Sequence, residues 1–193
     1  GLLYNLNQLS KYGLIQKQEK ATVGAVSLNE ISLDPNSIQR TRELLGKKST
    51  KYTLITGLGK DSDLGMASIL PSNSTRLLRS EGYNISRVVA FCTPDSNIEN
   101  AKRLGQIDRF ITHKYEAYRD GTSDLMQTLE DTVQSEQKDA DLILDLTPLS
   151  KLLTIRLLQI SNTYRIPSFY LGLNAKRDYF IMWIVPPSSE SSS

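Results

Sequence analysis

Cysteine and histidine are almost absent from this sequence of 193 residues, which holds one of each. A single cysteine excludes an intrachain disulfide and a cysteine-based zinc site. Cys92 lies within an apolar run typical of a strand, which predicts a small core residue rather than a reactive thiol. His113 has no partner at a spacing typical of catalysis, so we interpret it as a surface-loop histidine. We expect neither a metal nor a cofactor.

An excess of charge of one sign and long apolar runs are also lacking. The chain has 23 Lys and Arg against 21 Asp and Glu, a net charge of +2, which excludes a surface that attracts polyanions everywhere. The apolar stretch 179–185 is far shorter than the roughly 20 residues of a spanning helix, and no secretion signal opens the chain. These absences predict a cytoplasmic protein with no membrane partner. Apolar residues make up 39% of the chain, which is enough to form a folded core.

The small basic excess is concentrated in the first quarter of the chain. Residues 1–48 hold seven Lys and Arg and four Asp and Glu, a net charge of +3, whereas the remainder has a net charge of −1. We assign residues 1–48 to a small N-terminal segment and residues 49–185 to the main domain. The Pro- and Ser-rich residues 186–193 are predicted to be a disordered tail.

The N-terminal segment has the pattern of a helix, a hairpin and a second helix. Four leucines recur at helical spacing before Gly13, which can end a helix in the left-handed conformation. Apolar residues on either side of the polar stretch 16–22 then indicate a strand, a charged turn and a second strand. Asp34 followed by Pro35 predicts the start of another helix, which ends near 45–46.

Residues 6–15, Leu-Asn-Gln-Leu-Ser-Lys-Tyr-Gly-Leu-Ile, resemble the part of a winged helix-turn-helix domain that leads from the recognition helix into the wing. The resemblance implies a partial winged helix that binds double-stranded DNA. The residues that it places against the major groove are Tyr4, Asn5, Asn7, Gln8 and Lys11, and those that it places against phosphate are Lys17 and Lys20. The alternative is that the helix and hairpin form a dimerisation or packing appendage.

From Ser49 onward, apolar strand-like runs alternate with helical stretches. The predicted strands are 51–56, 87–93, 107–112, 141–146, 167–173 and, closing the sheet, 179–185. The predicted helices are a stretch that ends near Gly82, then 97–104, 124–134 and 149–164. Apolar strands separated by helices are typical of a parallel sheet that is covered on both faces. We therefore expect an α/β domain with a Rossmann-like, mostly parallel sheet and helices on both faces.

Two loops that follow predicted strands carry candidate binding residues, because ligands bind beyond the carboxyl ends of the strands in such sheets. Residues 57–62 offer two glycines, a lysine and a hydroxyl, but Ser62 stands at the third glycine position of a dinucleotide-binding fingerprint. Residues 145–151 run from a strand into a helix, where free backbone N–H groups, two hydroxyls and a lysine converge. The second loop is therefore typical of an anion site.

The loop 145–151 resembles the D-x-T-G-G-[TS]-K signature of the CRISPR-associated Rossmann-fold (CARF) domains. Its Asp, Thr, Ser and Lys match that signature, whereas Pro148 and Leu149 stand where the family has two glycines. The resemblance implies a homodimer that binds a cyclic oligoadenylate, or another nucleotide second messenger, across its two-fold axis. The pocket residues that it implies are Gly57, Gly59, Lys60, Ser62, Thr147, Ser150 and Lys151. The alternative is that this loop only caps the following helix and satisfies backbone donors.

The two parts together indicate a ligand-sensing transcriptional regulator or CRISPR-associated sensor. A slow, metal-independent ring nuclease is the enzymatic alternative, with Lys151 and Ser62 as its candidate catalytic residues. A nucleotide-binding enzyme of another Rossmann type and a structural dimerisation module also stay open. The acidic residues between Asp120 and Asp141 are spread over a helix and its flanks, which indicates a solvated face rather than a metal site.

Overall fold

The computed structural model describes residues 2–23, 26–47, 49–59, 66–96, 98–103 and 107–187, so most of the predicted tail lies outside it. The helices are α1 (Leu2–Lys11), α2 (Ile38–Leu44), α3 (Met66–Ser80), α4 (Ile98–Arg103), α5 (Tyr115–Asp120), α6 (Ser123–Glu136) and α7 (Lys151–Tyr164). The strands are β1 (Ile15–Val23), β2 (Val26–Leu33), β3 (Tyr52–Leu58), β4 (Ile85–Cys92), β5 (Arg109–Thr112), β6 (Asp141–Asp145), β7 (Ser168–Leu173) and β8 (Tyr179–Val185). Within these ranges, no helix combines the length and the apolar character that a bilayer crossing requires.

The main domain is built on a six-stranded sheet with the strand order β5-β4-β3-β6-β7-β8. All neighbouring strands are parallel except β7 and β8, so the predicted mostly parallel α/β fold is confirmed. The chain adds β4 and β5 on one side of β3 and then crosses over to place β6 on the other side. The boundary between β3 and β6 is therefore a topological switch point, where α/β sheets bind their ligands.

Alternate side chains of the central strands fill the two faces of the sheet. Ile55 and Leu144 belong to the core cluster that includes residues of α6 and α7, whereas Leu54 and Ile143 belong to the cluster that includes Leu78 of α3. All five side chains are fully buried. Because side chains alternate along a strand, the helices cover both faces of this sheet, as the apolar runs predict.

The N-terminal segment folds as α1, an antiparallel hairpin of β1 and β2, and α2, which is the predicted order. The predicted position of the turn is wrong: the polar stretch 16–22 lies within β1 and pairs with β2, because antiparallel strands can present polar side chains to water. The Asp34 side chain accepts a hydrogen bond from the Asn36 N–H at 2.8 Å and caps a short 3-10 turn that leads into α2. No residue of α1 is buried, and Leu2 and Leu3 are each 74% exposed. The described chain therefore leaves the apolar side chains of α1 without a covering layer.

Buried polar contacts join α2 to the amino end of β6. The side-chain amide of Gln39 donates to the Leu142 carbonyl at 3.2 Å, and its oxygen accepts from the Leu142 N–H at 2.7 Å. Two residues further along β6, the Leu144 N–H bonds the chain that leads into β7. Because alternate residues of a strand bond to the same side, the Gln39 side chain takes the place of β7 beside Leu142. Arg42 of α2 adds an ion pair with Asp141 at 2.8 Å.

The interpretation of the acidic residues as a solvated face is wrong for two of them. The side chains of Glu136 and Asp141 are only 6% and 3% exposed. Glu136 lies 3.5 Å from both Arg87 and Arg109, so cations compensate the burial of this carboxylate. These side chains stabilise the amino ends of the strands, at the edge of the sheet opposite the switch-point loops.

Candidate ligand-binding site

A buried carboxylate at the end of β6 organises the switch point. Asp145 is fully buried, and its Oδ2 accepts hydrogen bonds from the hydroxyls of Thr56 at 3.0 Å and Ser74 at 2.6 Å. Its Oδ1 accepts from the backbone N–H of Thr147 at 3.0 Å. Burial raises the pKa of Asp145, and the hydrogen bonds to the carboxylate oppose that rise. This one side chain therefore ties together β3, α3 and the loop after β6.

The loop after β6 is held close to the strands on both of its sides. The Thr147 hydroxyl accepts from the Leu171 N–H of β7 at 2.8 Å. On the other side, a Cβ at Gly57 would lie 2.6 Å from the Pro148 carbonyl oxygen and 2.8 Å from Cδ2 of Leu149. The lack of a side chain at Gly57 thus permits the close approach of the loop to β3. Gly57 and Thr147, two of the predicted ligand residues, therefore help to position this loop.

The turn after β4 forms the facing wall of the site. The Ser96 hydroxyl donates to the Leu58 carbonyl at 2.7 Å and accepts from the Thr93 N–H at 3.1 Å. The Thr93 hydroxyl in turn donates to the Asp95 carboxylate. These local bonds fix the turn beside the end of β3.

A cavity of about 200 Å³ opens between these two loops, at the carboxyl ends of β3, β4 and β6. The lining comes from the strand ends, the two loops, α5 and the start of α7. The lining residues are Leu58, Gly59, Phe91, Cys92, Thr93, Asp95, Tyr115, Tyr118, Pro148, Leu149, Ser150 and Leu153. Most of these side chains are apolar or aromatic. The Ser150 side chain accepts from the Leu153 N–H at 3.4 Å and caps α7, so the free N–H groups of a helix start border the cavity.

Burial favours the neutral forms of the Tyr118 hydroxyl and the Cys92 thiol, deep in the cavity. The Tyr118 hydroxyl donates to the Cys92 carbonyl at 2.9 Å, and burial raises the pKa of both side chains. Cys92 is buried, as the sequence predicts, and does not supply a thiolate at neutral pH. The His113 ring stands edge-on to Tyr118, and its Nδ1 lies 3.3 Å from a carboxylate oxygen of Asp124. With a side chain only 14% exposed, His113 is not the surface-loop histidine inferred from the sequence.

The other predicted ligand residues fall at different places around the cavity. Gly59 and Ser150 line it. Lys151 is the first residue of α7 and is exposed next to Ser150. Lys60 and Ser62 lie outside the described residues. Within the residues that the structure covers, no group of three or more His, Cys, Asp or Glu side chains could hold a metal ion.

The aromatic side of the cavity, formed by Tyr115 and Tyr118, is not predicted from the sequence. Tyr115 and Tyr118 lie on α5, a helix of six residues in which Tyr118 is buried. So short a helix has no apolar period to detect. The available signal is the spacing of the two tyrosines, because residues three apart share one face of a helix.

The predicted DNA-binding residues lie on α1 and β1: Tyr4, Asn5, Asn7, Gln8, Lys11, Lys17 and Lys20. Those on α1 are exposed, except for the partly covered Gln8. Lys17 Nζ donates to the side-chain oxygen of Asn7 at 2.6 Å, which joins the hairpin to the helix. The side chain of Lys20 lies outside the part of the chain that the structure describes.

No protein-family model and no curated protein matches this chain. Among solved structures, it is similar to Csm6 of Enterococcus italicus bound to cyclic hexa-2'-fluoro-hexa-dAMP, with a TM-score of 0.44 and 14% sequence identity. The match covers 67% of this chain and 36% of that chain. The function of this chain therefore has to be argued from its own residues.

Proposed function

We propose that this chain senses a nucleotide second messenger, a cyclic oligoadenylate, that binds at the switch-point cavity across a homodimer. The cavity itself carries the proposal: its apolar and aromatic walls suit a nucleobase, and the start of α7 at its rim suits a phosphate. The resemblance of the loop 145–151 to the CARF signature supports the same class of ligand.

The size of the cavity favours a ligand shared between two copies of the chain. At about 200 Å³, it is smaller than the roughly 300–1,000 Å³ of pockets that enclose a drug-sized ligand. It has room for one base but not for a ring of several nucleotides. A symmetric ring presents equivalent bases to equivalent cavities, which is the arrangement that a two-fold dimer provides.

Pro148 and Leu149 change how this loop would hold a phosphate. Pro148 has no N–H to donate, and Leu149 fills the space above Gly57. The glycine-rich backbone cradle of the CARF signature is therefore replaced by the N–H groups at the start of α7 and by the exposed ammonium of Lys151. We expect Lys151 to contribute strongly to phosphate binding here.

The N-terminal segment supplies the output of the proposed sensor. Its net charge of +3 and the exposed polar face of α1 support contact with duplex DNA. α2 is joined to the amino end of β6, and the binding loop follows the carboxyl end of the same strand of five residues. A ligand that shifts this loop would thus act on an element that directly contacts the DNA-binding segment.

Calorimetric titration with cyclic tetra-adenylate and cyclic hexa-adenylate tests the sensor. We expect one ring to bind per two chains. Tyr115→Ala should weaken binding by about fivefold or more, because stacking of a base on an aromatic ring is worth about 1–3 kcal/mol. Tyr4→Ala is the matched control, since Tyr4 and Tyr115 are 65% and 63% exposed.

The charge of Lys151 is tested in the same way. Lys151→Ala should weaken binding of the ring, whereas Lys138→Ala, which removes an exposed lysine in the turn after α6, should not. The absence of heat with either ring would overturn the proposal. Linear product that accumulates over hours in these samples would instead assign a ring nuclease, which the neutral Cys92 and Tyr118 do not favour.

A further inference from the structure

A second cavity lies where the N-terminal segment meets the end of α7. It has a volume of about 480 Å³ and is lined by Tyr12, Leu14, Arg40, Leu44, Thr163 and Arg165. These lining residues include two guanidinium groups and two hydroxyls but no carboxylate. A guanidinium presents several N–H donors in one plane and matches the oxygens of a phosphate. The lining therefore favours a phosphate-bearing ligand.

Arg165 lines this cavity and has a backbone conformation that is usual for glycine. It caps the carboxyl end of α7 with a φ angle of 57°, in the left-handed region. Among the described residues other than glycine, only Arg177, with φ 65, shares a positive φ. Within that part of the chain, the Arg165 guanidinium has no ion-pair or hydrogen-bond partner. Its donors are therefore open to a ligand.

Arg40 faces the same cavity from α2. One nitrogen of its guanidinium, Nη1, lies 3.1 Å from a carboxylate oxygen of Glu43. A guanidinium carries five N–H donors, so this pair leaves further donors for a ligand. The Arg40 side chain is 35% exposed, whereas that of Glu43 is only 10% exposed. The cation is thus more accessible than the carboxylate that holds it in place.

We propose that Arg40 and Arg165 bind the phosphodiester backbone of a nucleic acid. The cavity adjoins the proposed DNA-binding face, since the Tyr12 N–H bonds the Gln8 carbonyl at the end of α1. Tyr12 is 68% exposed and Leu44 57% exposed, so the recess is open, as passage of a polymer requires. The inference rests on the proposed DNA binding of the N-terminal segment and adds to it a contact from α7 in the main domain.

The salt dependence of binding to a fluorescently labelled DNA duplex tests this inference. Each phosphate contact contributes about 0.9 to the slope of log K against log salt concentration. We expect Arg165→Gly to reduce the magnitude of that slope by about one and to weaken binding. The melting temperature should stay equal or rise, because glycine is favoured at φ 57. Arg40→Gln should change the slope in the same direction.

Arg177→Gly is the matched control, because it removes the same charge from the same backbone conformation outside the cavity. It should leave the slope unchanged. Equal slopes for the Arg165→Gly and Arg177→Gly variants would overturn the inference while DNA binding itself stands. A chain that binds no duplex would overturn both proposals. Binding of inorganic phosphate that depends on Arg165, without binding of DNA, would assign the cavity to a small anion instead.

Discussion

At the end of β6, the Asp145 carboxylate accepts hydrogen bonds from two hydroxyls and one backbone N–H in a fully buried position. Because burial raises its pKa, the folded chain holds a proton on this carboxyl more tightly than the unfolded chain does. As the pH rises above the ordinary pKa of 3.8, the unfolded chain loses its proton first. The contribution of Asp145 to the free energy of unfolding therefore falls until the pH passes the raised pKa.

Asp145→Asn should remove this titration and keep the fold. The Asn oxygen can still accept from the Thr147 N–H, and the hydroxyls of Thr56 and Ser74 can rotate to accept from its amide group. We expect the free energy of unfolding of the wild type, minus that of the variant, to fall as the pH rises above about 3.8. Urea unfolding at a series of pH values measures this difference, and parallel curves would contradict the raised pKa.

Asp145→Ala is the companion variant, because it removes the hydrogen-bond acceptor as well as the charge. It leaves the Thr147 N–H and two buried hydroxyls without their partner, and each unsatisfied buried group costs about 1–3 kcal/mol. We expect this variant to be clearly less stable than Asp145→Asn at every pH. Equal stability of the two variants would mean that the hydrogen bonds of Asp145 do not hold the loop.

At the scale of elements, substitution of two glycines tests the close approach of the loop after β6 to β3. A Cβ at Gly57 would meet a backbone carbonyl at 2.6 Å, whereas one at Gly172 in β7 would meet the ring of Phe180 at 2.3 Å. That ring is 44% exposed and can turn away, but the backbone cannot. We expect Gly57→Ala to cost about 1–3 kcal/mol and Gly172→Ala to cost less.

The same pair of variants separates loop position from stability alone. Because the displaced loop borders the cavity, Gly57→Ala should also weaken binding of the cyclic oligoadenylate, whereas Gly172→Ala should not. Chemical unfolding measures the first effect and calorimetry the second. If both variants lose the same stability and bind the ring equally well, the close packing of the loop on Gly57 does not shape the site.

Local sequence pattern predicts the elements of the main sheet but not the contacts between distant ones. The predicted strand 141–146 differs from β6 by one residue, because a strand buried on both faces is a continuous apolar run. Gly59 and Ser150 line the cavity and could be predicted from the sequence, because loops that follow parallel strands are the expected binding loops of such a sheet. The contact of Gln39 with Leu142 spans 103 residues of sequence, and nothing in the local pattern of a polar helix indicates it.

At the scale of the whole molecule, α2 connects the N-terminal segment to the main domain through polar groups. Gln39 is 1% exposed, and it bonds the Gln137 side chain through its backbone N–H as well as Leu142 through its carboxamide. α1, in contrast, has no buried residue. Cooperative stability follows buried contacts, so the boundary between strongly and weakly protected structure should fall between α1 and α2.

Hydrogen exchange monitored by mass spectrometry tests where this boundary lies. We expect the amides of α2 to exchange as slowly as those of β6, and those of α1 to exchange faster. Gln39→Ala leaves the buried N–H and carbonyl of Leu142 unpaired, each at a cost of about 1–3 kcal/mol, and should bring α2 towards the rate of α1. Gln127→Ala is the control, since its amide bonds Asp131 on an exposed face of α6. If the amides of α2 exchange as fast as those of α1 in the unmodified chain, α2 does not unfold together with the sheet. In that case β6 could not link the proposed ligand cavity to the N-terminal segment.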